Sequence, residues 1–231
     1  LVPQTLYLPG AANAEGAVQS HWTTALELMN RGSESASYTV ELLVRGQANP
    51  TPKSVSFELA PGHAVRYANV VHSLFDTTGA GTLRITSVRG DLMASARTMT
   101  TNGGESHGVY IEGMDAVTAA GPGQRRYLIQ LQNDDGARTN IGVVSASVAT
   151  ILVDVQFFNA DGTSLGDLQL EVEPFESRQI NDVFSSLEAT KALDLHDAFA
   201  VVSSSTIGAA FFTYASVVDN ASNDAIFVPG R

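Results

Sequence analysis

Ser54-Val55-Ser56-Phe57-Glu58-Leu59-Ala60-Pro61-Gly62 and, 113 positions later, Asp167-Leu168-Gln169-Leu170-Glu171-Val172-Glu173-Pro174-Phe175 decide the fold of this chain. In both stretches apolar and polar residues alternate: Val55, Phe57 and Leu59 in one, Leu168, Leu170 and Val172 in the other. A period of two puts the apolar set on one face of a β-strand. Pro61 and Pro174 then end the strand, because proline has no N–H to donate to a ladder.

The likeness extends outward from these strands. At the same offset Tyr38 to Leu74 aligns with Ile151 to Leu187 without a gap. Val40, Leu42 and Val44 meet Val153, Val155 and Phe157. Further on, Asn69-Val70-Val71 meets Asp182-Val183-Phe184, and Asn or Asp before an apolar turn predicts a capped short helix. Outside that window the offset changes by loop-sized amounts. Thr24, Leu26 and Leu28 match Thr139, Ile141 and Val143; Leu83 and Ile85 match Phe199 and Val201; Leu92, Ala94 and Thr98 match Ile207, Ala209 and Thr213. The expected fold class is therefore all-β: two tandem antiparallel β-sandwich domains of about seven strands, each with one short crossing helix. Residues 1–114 form copy one and 127–231 copy two. Residues 115–126, rich in Ala and Gly with Pro122, read as the linker.

Composition narrows the function. Each copy is long enough to bury a core, and 44% of residues are hydrophobic. With no cysteine, disulfides, thiolate metal sites and cysteine catalysis are excluded. A net charge of -11 argues against nucleic acid and anionic membrane as partners. Ala198 to Val218 carries no charge and is long enough to span a bilayer. Its counterpart in copy one holds Arg84, Arg89, Asp91 and Arg97, so both read as solvated hairpins without membrane insertion. The chain opens at Leu1 with no leader-like segment, and its Thr-, Ser- and Asn-rich, Lys-poor composition favours a secreted or cell-surface protein.

Four features are candidates for function. Leu6-Tyr7-Leu8-Pro9 resembles Ile226-Phe227-Val228-Pro229, so there are three versions of a closing strand for two copies. The extra one is either the first strand of copy one or an assembly strand donated to another molecule. Asp134, Asp135, Asp219, Asn220 and Asp224 supply hard oxygens from two loops and are the candidate calcium ligands, with Asx turns as the alternative. Trp22 and Tyr214 are the candidate ligand-stacking rings. Gly162-Thr163-Ser164-Leu165-Gly166 has nucleophile-elbow spacing, but a strand follows it rather than a helix, which makes it a hairpin tip. The five histidines show no metal-binding spacing and read as surface residues.

Trp22-Thr23-Thr24-Ala25-Leu26-Glu27-Leu28 ending in Asn30, the Pro61-Gly62 turn, Ala94-Ser95-Ala96-Arg97-Thr98 and Tyr214-Ala215-Ser216-Val217-Val218-Asp219-Asn220 together resemble uncharacterised tandem sandwich repeats of secreted bacterial surface proteins. The resemblance implies an immunoglobulin- or fibronectin-like architecture in extracellular accessory or surface modules without an assigned activity, and the lack of any nucleophile, base and orienter set reads as no enzyme. The leading expectation is an extracellular structural or adhesive module that self-assembles or binds other surface proteins. The alternative is a carbohydrate-binding module assisted by calcium, which is the one candidate cofactor.

Overall fold

A computed structural model describes every residue except 1–2, 17–19, 89–90, 103–104, 189 and 191–192. The protein is nearly all β, with antiparallel sheets and two short helices. It divides into two compact units: residues 1–45 with 51–118, and residues 46–50 with 119–231.

The first unit runs β1 (Gln4–Glu15), β2 (His21–Asn30), β3 (Ala36–Val44), β4 (Lys53–Leu59), β5 (Ala64–Tyr67), α1 (Val70–Phe75), β6 (Gly79–Ser87), β7 (Leu92–Asn102), β8 (Glu105–Glu112) and β9 (Met114–Asp115). The second runs β10 (Arg125–Asn133), β11 (Ala137–Ser145), β12 (Ile151–Phe158), β13 (Ser164–Val172), β14 (Ser177–Ile180), α2 (Val183–Ser186), β15 (Leu195–Ser203), β16 (Phe211–Asp219) and β17 (Ala225–Pro229). In the second unit two four-stranded sheets have the orders β10-β15-β12-β13 and β14-β11-β16-β17. The first unit has the same neighbours, β1-β6-β3-β4 and β5-β2-β7-β8. There the two layers are joined where Asn13–Glu15 pair with His21–Thr23. Beyond the expected seven strands the first unit has the two-residue β9, and each unit has one more, β5 or β14. Those two have only four residues each after the turn that follows the proline, too few to show a period.

Apolar faces close the core between the layers. In the second unit Leu128, Val143, Val153, Val155, Phe157, Phe184, Val202 and Phe211 are fully buried in one cluster. The Phe157 and Phe184 rings meet edge to face at 5.3 Å. Burial on this scale is the main stabilising term, about 25 cal/mol per Å² of apolar surface removed from water.

Three sequence readings need correction. Val202 pairs with Val155 as Leu83 pairs with Leu42, so Val202, not Phe199, stands where Leu83 does. Phe199 consequently faces outward and stacks on Phe158 at 5.1 Å. A slip by an odd number of residues, here three, flips every side chain of a strand, and β15 is apolar on both faces, so its alternation gave no warning. Likewise Leu28 pairs with Ala94 and Val143 with Thr213, which makes Thr213 the counterpart of Ala94 rather than of Thr98. Ile207, matched above to Leu92, is 97% exposed in the β15–β16 loop. The helix caps also differ. The Asn69 side chain accepts the His72 N–H, whereas Asp182 sits at φ 47° and makes no side-chain cap bond.

The stretch read as a linker is structured. Met114 and Asp115 pair with Tyr7 and Leu6, and Ala116–Thr118 form a 3-10 turn. Ala120 exchanges backbone hydrogen bonds with Phe211, and Arg125 and Arg126 already belong to β10. No helix among the described residues is long and apolar enough to cross a membrane.

Candidate functional site

The residues singled out for assembly occupy two different environments. Leu6, Tyr7 and Leu8 are buried in β1, which pairs with β6 on one side and with β2 and β9 on the other. This corrects the assembly-strand reading: β1 has backbone partners along both edges and serves as the first strand of copy one. Ile226, Phe227 and Val228 lie in β17, at the end of its sheet and, among the described residues, paired with β16 alone. Ile226 is 52% exposed there.

The two stacking candidates are both engaged within the protein. Tyr214 is buried, stacks on Phe227 at 5.1 Å and donates its hydroxyl to Gln179 Oε1 at 2.9 Å. The ring lies over Gly142, where a Cβ would come within 2.1 Å of it. The Phe227 ring and the Gln179 amide that cover it were not legible in the sequence. Trp22 is half-buried, donates from Nε1 to Ser20 Oγ at 3.1 Å, and packs over Gly16.

The fold brings the two calcium-candidate loops together, and Asn220 N donates to Gly136 O at 2.8 Å. Their oxygens are used within the protein. Asp134 Oδ1 accepts the Gly136 and Ala137 N–H groups, and Asp219 Oδ1 accepts from Ala221 and Ser222. These are the Asx turns weighed above as the alternative. The Arg138 guanidinium donates to Asn220 Oδ1 at 2.7 Å and to Asn223 Oδ1 at 3.1 Å, so a positive charge is tied into the same junction. Any cation held by these five residues would share the junction with that guanidinium. Asp135 lines the adjacent pocket, and Asp224 takes part in the turn through its N–H to Ser222 Oγ.

Beside this junction lies a grouping the sequence reading missed. His196 Nδ1 is 3.0 Å from Asp134 Oδ2, and its Nε2 is 3.5 Å from Asp194 Oδ2. A pocket of about 650 Å³ holds these three residues together with Asp182. The available signal was Asp194-Leu195-His196, since residues two apart on a strand share a face.

On the first unit a groove of about 730 Å³ runs across the solvent side of β1, β6, β3 and β4. Its floor is a row of hydroxyls set by the ladder: Thr5 opposite Thr86, Thr86 opposite Thr39, and Thr39 opposite Ser56. Adjacent strands place them about 4.8 Å apart. Thr39 and Ser56 share a hydrogen bond of 2.8 Å, while Pro3 and the 59%-exposed Val88 form an apolar rim. Tyr38 also lines the groove; burial and its bond to the Tyr67 hydroxyl push its phenol well above the usual tyrosine range.

One row along the same face, Arg84 clasps Glu41 with Nε at 2.6 Å and Nη2 at 3.0 Å. Burial opposes the Arg84 charge, but Glu41 and Tyr7 together outweigh it and hold the guanidinium above its ordinary value. Burial also raises the Tyr7 hydroxyl.

No protein-family model matches the chain, and no curated protein matches it. Among solved structures it is similar to the crystal structure of Thermotoga maritima 1070. That match has 12% identity and a TM-score of 0.38, over 48% of this chain and 92% of the other. It is also similar to a calcium-binding mutant of Bacteroides uniformis beta-glucuronidase 2, with 13% identity, a TM-score of 0.20 and 98% of this chain covered. This chain spans only 26% of that enzyme's length. Likenesses this low carry no argument about function.

Proposed function

We propose that this chain is a non-enzymatic extracellular adhesive or structural module of the secreted-repeat kind, and that its first unit binds a glycan along the hydroxyl row of β1, β6, β3 and β4. The observation that carries the reading is the row itself. Four hydroxyls at strand spacing can donate to and accept from successive sugar hydroxyls, while Pro3 and Val88 offer apolar contact to sugar C–H faces. Hydroxyl groups suit a neutral polyol because each can act as donor or acceptor, so no charge need be buried.

Glycan-array screening followed by calorimetric titration of the best oligosaccharide tests this. Replacing Thr39 and Thr86 together by Val removes two hydroxyls while keeping the β-branched shape. Binding should weaken about tenfold or more, the loss of roughly 1.4 kcal/mol. Trp22→Ala and Tyr214→Ala should bind as the parent does, because neither residue lines the groove. No bound glycan, or unchanged binding by the double variant, refutes the reading.

A second reading, self-assembly, rests on the end strands β8 and β17, whose Tyr110 and Ile226 are 65% and 52% exposed. Such strands template pairing with another chain unless they are covered. Electron microscopy of the full chain distinguishes the two: filaments or layers that Ile226→Lys abolishes support assembly, and a strictly monomeric species removes it.

A further inference from the structure

We infer that the ligand of the hydroxyl groove is a neutral polysaccharide of β-linked sugars, extended across β1, β6, β3 and β4 with one sugar over each strand. This rests on the glycan reading above and names the class of glycan.

Spacing carries it. Thr5, Thr86, Thr39 and Ser56 stand on neighbouring strands in one line across the sheet. Their repeat is the distance between strands, about 4.8 Å. A pyranose chain joined through equatorial oxygens is nearly straight and advances by nearly that distance per sugar, so each sugar meets the contact its neighbour met. Axial links bend the chain into a coil, which leaves the line after a contact or two. The line itself is rigid. Each threonine adjoins a core residue of its own strand, Leu6, Ile85 or Val40, and all three are buried. The hydroxyls are therefore in place before the ligand arrives, which lowers the entropy lost on binding.

Charge excludes acidic chains. Among the described residues that line the groove, Glu58 is the only charged one. Arg84, one row along, is already clasped by Glu41. A uronate or sulfated chain would find no unpaired cation in the groove and would meet a net charge of -11 on the protein.

The ends of the line decide which part of the chain binds. Beside Thr5, Leu6 pairs with Asp115 of β9. At the other end β4 is last in its sheet, so among the described residues no strand stands beyond Ser56. A ligand can run on past Ser56, and an internal stretch of a long polymer fits as well as its end.

Calorimetric titration of the full chain with gluco- and manno-oligosaccharides, β-linked and α-linked and of increasing length, provides the test. A β-linked series should gain affinity with each sugar up to about four, one per strand, then level off, and should bind about tenfold tighter than its α-linked match. A β-linked uronate chain of equal length should bind about tenfold more weakly than the neutral one. Ser56→Ala, on the exposed face of an edge strand, should bring the plateau down to about three sugars and weaken the longest chains about fivefold. Ser54→Ala, one row along and outside the groove, should bind as the parent does. If neither link type binds, the glycan reading falls and this class with it. If glycan binding holds but the α-linked series binds as tightly, the uronate chain binds best, or Ser56→Ala leaves the plateau where it was, the class is overturned and the glycan reading stands.

Discussion

Glu41 stands opposite Arg84 in the first unit, and at the matching positions of the second Asp154 stands opposite Ser203. The ladder is the same, yet the chemistry differs. In the first unit the pair is 86% buried on both sides and bidentate. In the second, Asp154 has no cation opposite and accepts instead from Gln169 Nε2 on the neighbouring strand. The same contrast holds one row along. Thr39 lies in the hydroxyl groove, while Leu152, at its counterpart, is 44% exposed. Duplication thus preserved what faces the core and freed what faces outward, because only the inner face is constrained by packing.

That comparison can be broken by substitution. Glu41→Ala takes the carboxylate from a largely buried guanidinium, leaving the Tyr7 hydroxyl beside it, and should cost about 3 kcal/mol. Asp154→Ala should stay within about 0.5 kcal/mol, as surface changes do. Urea unfolding of the two variants measures the difference, and equal losses would mean that the two outer faces are energetically alike.

A smaller difference is expected at the end of β2 and β11. Asn30 is 1% exposed, donates to the Glu34 and Leu59 carbonyls and accepts the Gly32 N–H. Its counterpart Ser145, 0% exposed, accepts the Ser147 N–H at 3.2 Å. Asn30→Ala should therefore cost about 2 kcal/mol and Ser145→Ala about 1, read from the same denaturation curves.

The smallest effects lie at the bulges of the first strands, where Gly10 has φ 74° and Gln130 φ 60°. Gly10→Ala forces a Cβ into the left-handed region and should destabilise by about 1 kcal/mol. Gln130→Gly relieves that strain and should stabilise by up to about 1 kcal/mol. Opposite shifts in melting temperature would confirm that the two bulges are equivalent, and shifts of one sign would separate them.

The gapless alignment conceals one structural change. Val40 pairs with Val55, but Val153 pairs with Leu170 rather than Leu168. The hairpin has slid by two residues, an even number, so the inward faces survive. The sequence shows no trace of this because either register satisfies the same pattern. The Asp-Gly hairpin tip was legible: Asn159 N donates to Thr163 O, and Gly162 takes φ 84°. Turn residues act locally, so their spacing reads directly.

The sequence by itself determined the all-β class, the duplication, the strand ends at Pro61 and Pro174, and the Asx turns at Asp134 and Asp219. Each follows from neighbours in the chain: period-two alternation, a missing N–H, or a carboxylate that bonds its own backbone. Tertiary structure alone decided the burial of β1, the covering of Tyr214, the inward face of β15, and the meeting of His196 with Asp134 across the β10–β15 ladder. Those outcomes depend on which strand lies beside which, and pairing partners many residues apart leave no local periodicity. The extra closing strand at Leu6–Pro9 shows the limit best. Its apolar residues marked it as a strand, while its place inside the sheet was fixed by β6, β2 and β9.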